Sequence, residues 1–280
     1  MKNISAKRIT EAVKKLFLEA NFNLPGDVLK ALQFALKKET NRRAKNIISE
    51  IIENQKIARK EKIPICQDTG SAVVFIELGQ DVKITGGGLN EAINKGVKQA
   101  YCDGYLRKSI VSDPLERKNT GDNTPAVIHT EIVKGDNLKI SVLAKGGGAE
   151  NVSVIKNFPP STEINEIKKF VVGVVKNAGA NACPPLVVGI GIGGTIDTVG
   201  TLTKKALLRN LSSPNKDKNY AKLEKEILSE INKTGIGPMA LGGKTTALAV
   251  FIEPASCHIT SLPVAVNLQC HAVRRTKAVL

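Results

Sequence analysis

Apolar positions recur at helical spacing through the first fifth of the chain. Ile9, Val13, Leu16 and Phe17 form one stripe and Val28, Leu29, Leu32 and Leu36 another, so residues 4–61 read as three helices. Pro25 stands where the second begins, a position at which its missing N–H is harmless. The third, over 41–61, ends before Pro64, which disfavours helix in the residue preceding it. Beyond residue 70 the spacing becomes that of strands. Residues 72–78 and 82–85 predict strands, 89–105 a helix, and 126–133 and 138–144 two alternating strands, with a polar, turn-rich stretch over 106–125. Ser161 is placed to cap a helix reaching residue 178, because Ile164, Ile167, Phe170, Val171 and Val174 share one face. The run 186–190 predicts a strand, followed by helices over 198–211 and 219–233. Residues 245–269 are β-branched and broken by Pro254 and Pro263, and a basic tail follows over 271–277. No internal repeat or long linker is visible. The expectation is an α+β fold: N-terminal helices, then mixed β-sheet structure with packed helices, in one compact domain over 1–280.

Composition adjusts this picture in three places. At 280 residues the chain can bury a substantial core. No apolar run approaches the length of a membrane helix, and the charged N-terminus lacks the apolar stretch of a secretory signal, so a cytoplasmic protein is expected. The net charge of +15 raises nucleic-acid binding. The lysines are scattered, however, and aromatic stacking platforms are scarce, so no nucleic-acid partner is expected. A heat-adapted surface or an acidic substrate accounts for the excess equally well. The 5 cysteines are an odd number, which leaves at least one thiol outside any pairing and favours free thiols, metal ligation or catalysis.

Three of those cysteines lie in separate loops flanked by Gly or Pro. Residues 63–69 read I-P-I-C-Q-D-T, offering the Cys66 thiol, the Gln67 amide and the Asp68 carboxylate just before a strand, where binding groups are usually displayed. Cys183 precedes Pro184 and Pro185, and Cys270 precedes the basic tail. Cys102, inside a helix, reads as a small buried hydrophobe. Gly146, Gly147 and Gly148 in succession suggest backbone that approaches a ligand or adopts positive φ. Gly189-x-Gly191-x-x-Gly194 matches a dinucleotide fingerprint but lacks the acidic residue about twenty positions on. Gly242-Gly243-Lys244-Thr245 ends like a phosphate loop, yet strand-like sequence follows where a helix is needed. Cys257-His258 and Cys270-His271 are neighbours in sequence, which gives no support to a thiol–imidazole dyad. Zinc held by widely spaced Cys and His stays open. So does an iron–sulfur cluster on three thiolates, whose fourth iron would keep an open position and act as a Lewis acid.

I-C-Q-D-T-G at Cys66, L-R-K-S-I-V-S-D-P-L from Leu106, K-G-G-G-A-E-N from Lys145, C-P-P-L-V-V-G-I-G-I-G-G-T from Cys183, L-G-G-K-T-T-A-L-A-V from Leu241 and Q-C-H-A-x-R-R at Cys270 together are specific. As a set they resemble the class I, iron–sulfur-dependent fumarate hydratase and L-tartrate dehydratase family, over nearly the whole chain. The match is to the alpha, or N-terminal catalytic, part. The resemblance implies a [4Fe–4S] cluster on Cys66, Cys183 and Cys270, with Cys257 as competitor for the third place. It implies a dicarboxylate bound by Gln67, Asp68, Arg107 and Gly148, with Asp68 also near proton transfer and His258 lining the site. It implies hydration of fumarate to L-malate, with L-tartrate dehydration or a non-catalytic redox or iron sensor as alternatives. A beta subunit would complete the site, in a dimer of alpha–beta pairs.

Overall fold

The computed structural model describes residues 1–280. β1 (Lys2–Ser5), α1 (Ala6–Phe22), α2 (Gly26–Lys38) and α3 (Arg42–Glu61) open the chain. β2 (Ser71–Gly79), β3 (Val82–Thr85), α4 (Leu89–Asp103), β4 (Val127–Val133) and β5 (Leu138–Lys145) follow. Next come α5 (Gly147–Asn151), β6 (Val154–Phe158), α6 (Ile164–Ala178) and β7 (Leu186–Gly193). α7 (Ile196–Ala206), α8 (Lys218–Lys233), β8 (Ala247–Ala255), β9 (Leu262–Gln269) and β10 (Arg275–Val279) complete an α+β fold. No helix is long and apolar enough to cross a membrane. The chain divides into two compact units, the first Met1–Pro25, Asn54–Gly147 and Arg274–Leu280, the second Gly26–Glu53 and Gly148–Val273.

In the first unit the strand order is β10-β5-β2-β4, with β5 antiparallel to both neighbours and β2 parallel to β4. β1 and β3 form a separate parallel pair. Alternate residues Ala72, Val74 and Ile76 of β2 and Leu138, Ile140 and Val142 of β5 join one core with Val13, Phe17, Ile93, Val97 and Tyr101. The period of two on the strands and the helical stripes on α1 and α4 therefore meet. The helices approach closely at Gly96, where a Cβ would stand 2.7 Å from the Thr10 carbonyl oxygen. Cys102 points the other way and is exposed, because α4 spends its buried face on Ile93, Val97, Ala100 and Tyr101. That corrects the expectation of a buried thiol.

The second unit orders its strands β6-β9-β7-β8, with β9 antiparallel to both neighbours and β7 parallel to β8. Val171, Ile190, Ile227, Ile252, Val264 and Leu268 share its core. The Gly189-x-Gly191 pattern has a packing cause here. A Cβ at Gly189 would stand 2.3 Å from Thr203 O and one at Gly191 2.5 Å from Val199 O, so only glycine lets α7 lie against β7. The phosphate-loop-like run also serves the fold, since the Lys244 N–H donates to Glu39 Oε2 at 2.7 Å. Ser161 does not cap α6. The helix starts later, with Glu163 at its N-cap and no side-chain capping bond, because 160–161 form a turn. The end of the expected basic tail, from Arg275 on, is in fact strand β10, and Arg274 and Arg275 are buried.

Candidate active site

In the first unit the 63–70 loop is pinned before its functional residues appear. Ile65 is buried, its N–H donates to Asn21 O at 2.9 Å, and its carbonyl accepts from Asn54 Nδ2 at 2.8 Å. Beyond this anchor Cys66 is half-buried and free, Gln67 exposed and Asp68 half-buried. The Asp68 carboxylate accepts two main-chain N–H groups, Gly70 on Oδ1 at 3.0 Å and Gly147 on Oδ2 at 2.7 Å. Thr69 is buried and its hydroxyl donates to Arg107 O at 3.0 Å, so the loop fixes the backbone from which the exposed Arg107 projects. Tyr101 closes the base. Its hydroxyl bonds Thr69 O at 2.9 Å and Gly70 O at 2.8 Å, and Asn123 Nδ2 also donates to Gly70 O, at 3.2 Å. Burial, with a smaller push from the Asp68 charge, raises the Tyr101 phenol far above its ordinary range and keeps it a donor. Gly70 has φ +79°, and a Cβ there would stand 2.7 Å from the Lys145 backbone, so no other residue fits this turn.

Gly146, Gly147 and Gly148 answer the sequence expectation differently. None has positive φ; Gly147 and Gly148 begin α5. Their value is the missing side chain. A Cβ at Gly146 would stand 3.1 Å from Arg274 Nη2 and 3.2 Å from Asp68 Oδ2, and one at Gly148 2.8 Å from Asn181 O.

In the second unit Cys183 follows a short 3-10 turn, Gly179–Ala182, and holds left-handed backbone (φ 52°), a conformation that ordinary side chains rarely take. Such strain persists only where the surroundings enforce it. Here the His271 N–H lies 3.4 Å from the Cys183 carbonyl oxygen, and its Nδ1 lies 3.1 Å away. A carbonyl only accepts, so Nδ1 carries the proton. Met239 N–H donates to Pro184 O at 2.8 Å. The register pairs Val187 with Gln269, which sets Cys183 and Cys270 at one end of the sheet. Neither cysteine is in a disulfide, both are half-buried, and Gln269 Nε2 points at Cys270 Sγ from 3.5 Å.

Cys257 and His258 stand elsewhere. β7 and β8 pair from Leu186 with Ala247 to Gly193 with Ala255, and the 256–261 loop follows the far end. A strand of 8 residues, at about 3.3 Å each, separates that loop from Cys183, roughly 25 Å. Cys257 Sγ donates to Ser261 O at 3.3 Å, and Thr260 N–H donates to His258 Nδ1 at 3.2 Å, leaving the neutral ring's proton on Nε2. Within this unit His258 is not brought to Cys183 or Cys270. Sequence reasoning also missed Tyr101, Asn123, Gln269 and Arg274, which act on main-chain atoms or on another site residue.

The family described as "Fumarate hydratase (Fumerase)" matches residues 10–279. The chain is similar to a protein of Methanocaldococcus jannaschii named "Putative L(+)-tartrate dehydratase subunit alpha", 46% identical over 275 residues and 96% of each chain. It is also similar to the Escherichia coli (strain UTI89 / UPEC) protein "L(+)-tartrate dehydratase subunit alpha", 31% identical over 277 residues, 98% of this chain and 91% of that one.

Proposed function

The chain belongs to the fumarate hydratase (Fumerase) family of hydro-lyases, and on that premise we propose that it is the alpha chain of a two-subunit iron–sulfur enzyme. Its reaction, on this reading, is the reversible hydration of fumarate to L-malate. The Asp68 loop carries the proposal: a carboxylate clamped by two main-chain amides, beside an exposed amide and a free thiol. Cys66, Cys183 and Cys270 would hold a [4Fe–4S] cluster. These three cysteines stand in loops, half-buried and in no disulfide, whereas Cys102 and Cys257 are exposed. The amide aimed at Cys270 Sγ suits a thiolate, which hydrogen bonds stabilise. No three His, Cys, Asp or Glu side chains gather as a single ion would need, and a cluster does not ask for that, since each thiolate takes its own iron. When bound, the cluster supplies a Lewis acid that weakens the carbon–oxygen bond of the substrate.

The chain's own residues bind and orient. The Arg107 guanidinium is exposed and planar, shaped to take one substrate carboxylate through two parallel N–H bonds. Gln67 offers an amide, and Gly148 a main-chain N–H at the start of α5. Asp68 keeps acceptor positions beyond the two its amide partners use, so it can hold a proton close to the carbon that gains or loses one. His258 stands at the far end of its own sheet from Cys183, so its role as a site histidine rests on the family resemblance and not on that sheet. A dicarboxylate carries a second charge that needs its own cation, and a beta chain supplies it.

The names of the two relatives favour a second reading, L-tartrate dehydration, which differs by one hydroxyl in the substrate. Anaerobic reconstitution with a beta chain, followed by rates on L-malate and L-tartrate side by side, decides between them. Faster turnover of malate supports the first reading. Faster turnover of tartrate replaces it with the second, and no turnover of either leaves a cluster-binding sensor.

A further inference from the structure

Arg274 has no part in the chemistry so far. It is 1% exposed, and taking a guanidinium out of water is costly unless its donors are met. Its Nε, also buried, has no acceptor, so the position is not one chosen to satisfy the arginine itself. What the side chain reaches is the Asp68 loop. Nη1 donates to the main-chain oxygen of Asp68. Nη2 and Asp68 Oδ2 crowd the same point beside Gly146, 3.1 and 3.2 Å from where a Cβ would be. Asp68 is thus restrained twice, through its main chain by Arg274 and through its carboxylate by the Gly70 and Gly147 amides.

We propose that Arg274 is a positioning residue that fixes the direction of the Asp68 carboxylate. The proposal deepens the role given to Asp68 above and rests on it. Arg274 reaches Asp68 through the backbone and leaves the carboxylate free to face the substrate. Gly146 is its complement, since any side chain there would push the guanidinium and the carboxylate apart.

Arg274→Lys keeps the charge but loses the planar fork. In the reconstituted enzyme we expect kcat to fall about 10- to 100-fold, as small misplacements of a reacting group do. KM should change less than about twofold, since Gln67 and Arg107 are untouched, and iron content should hold. In an Asp68→Asn background the same substitution should add less than about twofold, because residues acting through one another are not additive. Amide hydrogen exchange on the isolated chain reads the same contact without turnover: the Gly70 and Gly147 amides should lose protection in Arg274→Lys. Should that variant fail to fold, Gly146→Ala disturbs the same contact from outside and should show the same pattern in milder form. Additive losses with Asp68→Asn, or full protection of both amides in a folded variant, overturn the proposal. A wild-type enzyme inactive on both substrates whose variant still loses that protection keeps the positioning role and removes the assigned reaction.

Discussion

In the first unit β2 lies between a parallel strand, β4, and an antiparallel one, β5, with β10 outside β5; in the second, β7 lies between β8 and β9 in the same senses, with β6 outside β9. In both, helix lies in the link from the central strand to its parallel neighbour, α4 after the short β3 in the first and α7 and α8 in the second, and the next strand returns on the other flank. Candidate chemistry also falls at equivalent places. A thiol loop precedes the central strand (Cys66 before β2, Cys183 before β7), and further site groups follow the returning strand (Gly146 and Gly147 after β5, Cys270 after β9). The outer strand differs: β10 ends the first sheet from the C-terminus, whereas β6 enters the second ahead of its central strand. The anchoring differs as well. The first unit builds a polar cradle around Asp68, and the second a pair of thiols braced by His271 and Gln269. One sheet plan thus presents two kinds of chemistry from the same end, set by which residues fill the loops.

The largest effect expected from breaking this comparison is loss of the cluster. Cys183→Ser and Cys270→Ser should each reduce iron and sulfide after anaerobic reconstitution to near background, and so should Cys66→Ser. Cys102→Ser and Cys257→Ser should match wild type, their thiols being exposed and away from the paired loops. Iron retained in Cys270→Ser but lost in Cys257→Ser would falsify the choice of third ligand.

The shared plan was not legible in the sequence, for a physical reason. Strand direction and order depend on which strand pairs with which, and pairing leaves no periodic mark along the chain. What did show were segments whose burial imposes a period, such as α1, α4, β2 and β5. β1 and β6 were missed because they are short and mostly exposed or half-buried, and β10 because its arginine and lysine read as a tail. The same distinction runs through the site. Cys66, Asp68 and Cys183 stand out because Gly or Pro flanks them, and Arg107 and Gly148 through their motifs. Tyr101, Asn123 and Arg274 work by donating to main-chain carbonyls, a role any spacing permits.

Next in size is the packing that supports each plan. Gly96→Ala should force α4 off α1 in the first unit, and Gly191→Ala should force α7 off β7 in the second, since each Cβ would meet a carbonyl oxygen at 2.7 and 2.5 Å. Overpacking of this kind costs about 1–3 kcal/mol. Urea midpoints should fall for both. A drop in only one unit's variant would show that the close helix approach matters to one frame and not the other.

A smaller and more local effect is expected from Tyr101→Phe. The ring stays to fill the core beside Phe17, but the carbonyl oxygens of Thr69 and Gly70 lose a buried donor. About 1–2 kcal/mol of stability should go with it. Because Asn123 still bonds Gly70 O, the loop should stay folded, and the change should appear as faster amide exchange around residues 66–70. No change in that loop would mean that Asn123, Arg274 and the amides on Asp68 hold the first unit's cradle without the phenol.

The smallest expected effect tests the second unit's own buried carboxylate, and it depends on pH. Glu39 is 1% exposed, and its carboxylate accepts from Thr40 N at 2.8 Å, Asn41 N at 3.0 Å and Lys244 N at 2.7 Å. Burial works against the charge, but the three N–H groups, helped by the Lys244 charge, outweigh it and hold the carboxyl below its ordinary range. A depressed folded-state value means that the unfolded chain binds the proton more readily. The stabilisation is therefore fully present above the ordinary carboxylate range and is lost as pH falls through the lower, folded-state value. Glu39→Gln removes the charge and turns one acceptor into a donor facing N–H groups. At neutral pH it should cost roughly 1 kcal/mol, near the size of one hydrogen bond. Measured by urea unfolding, the gap between variant and wild type should narrow steadily as pH is lowered through the carboxylate range. Asp68, beside its own two amides, is the matching carboxylate of the first unit. A gap independent of pH would show that Glu39 contributes through shape and not charge.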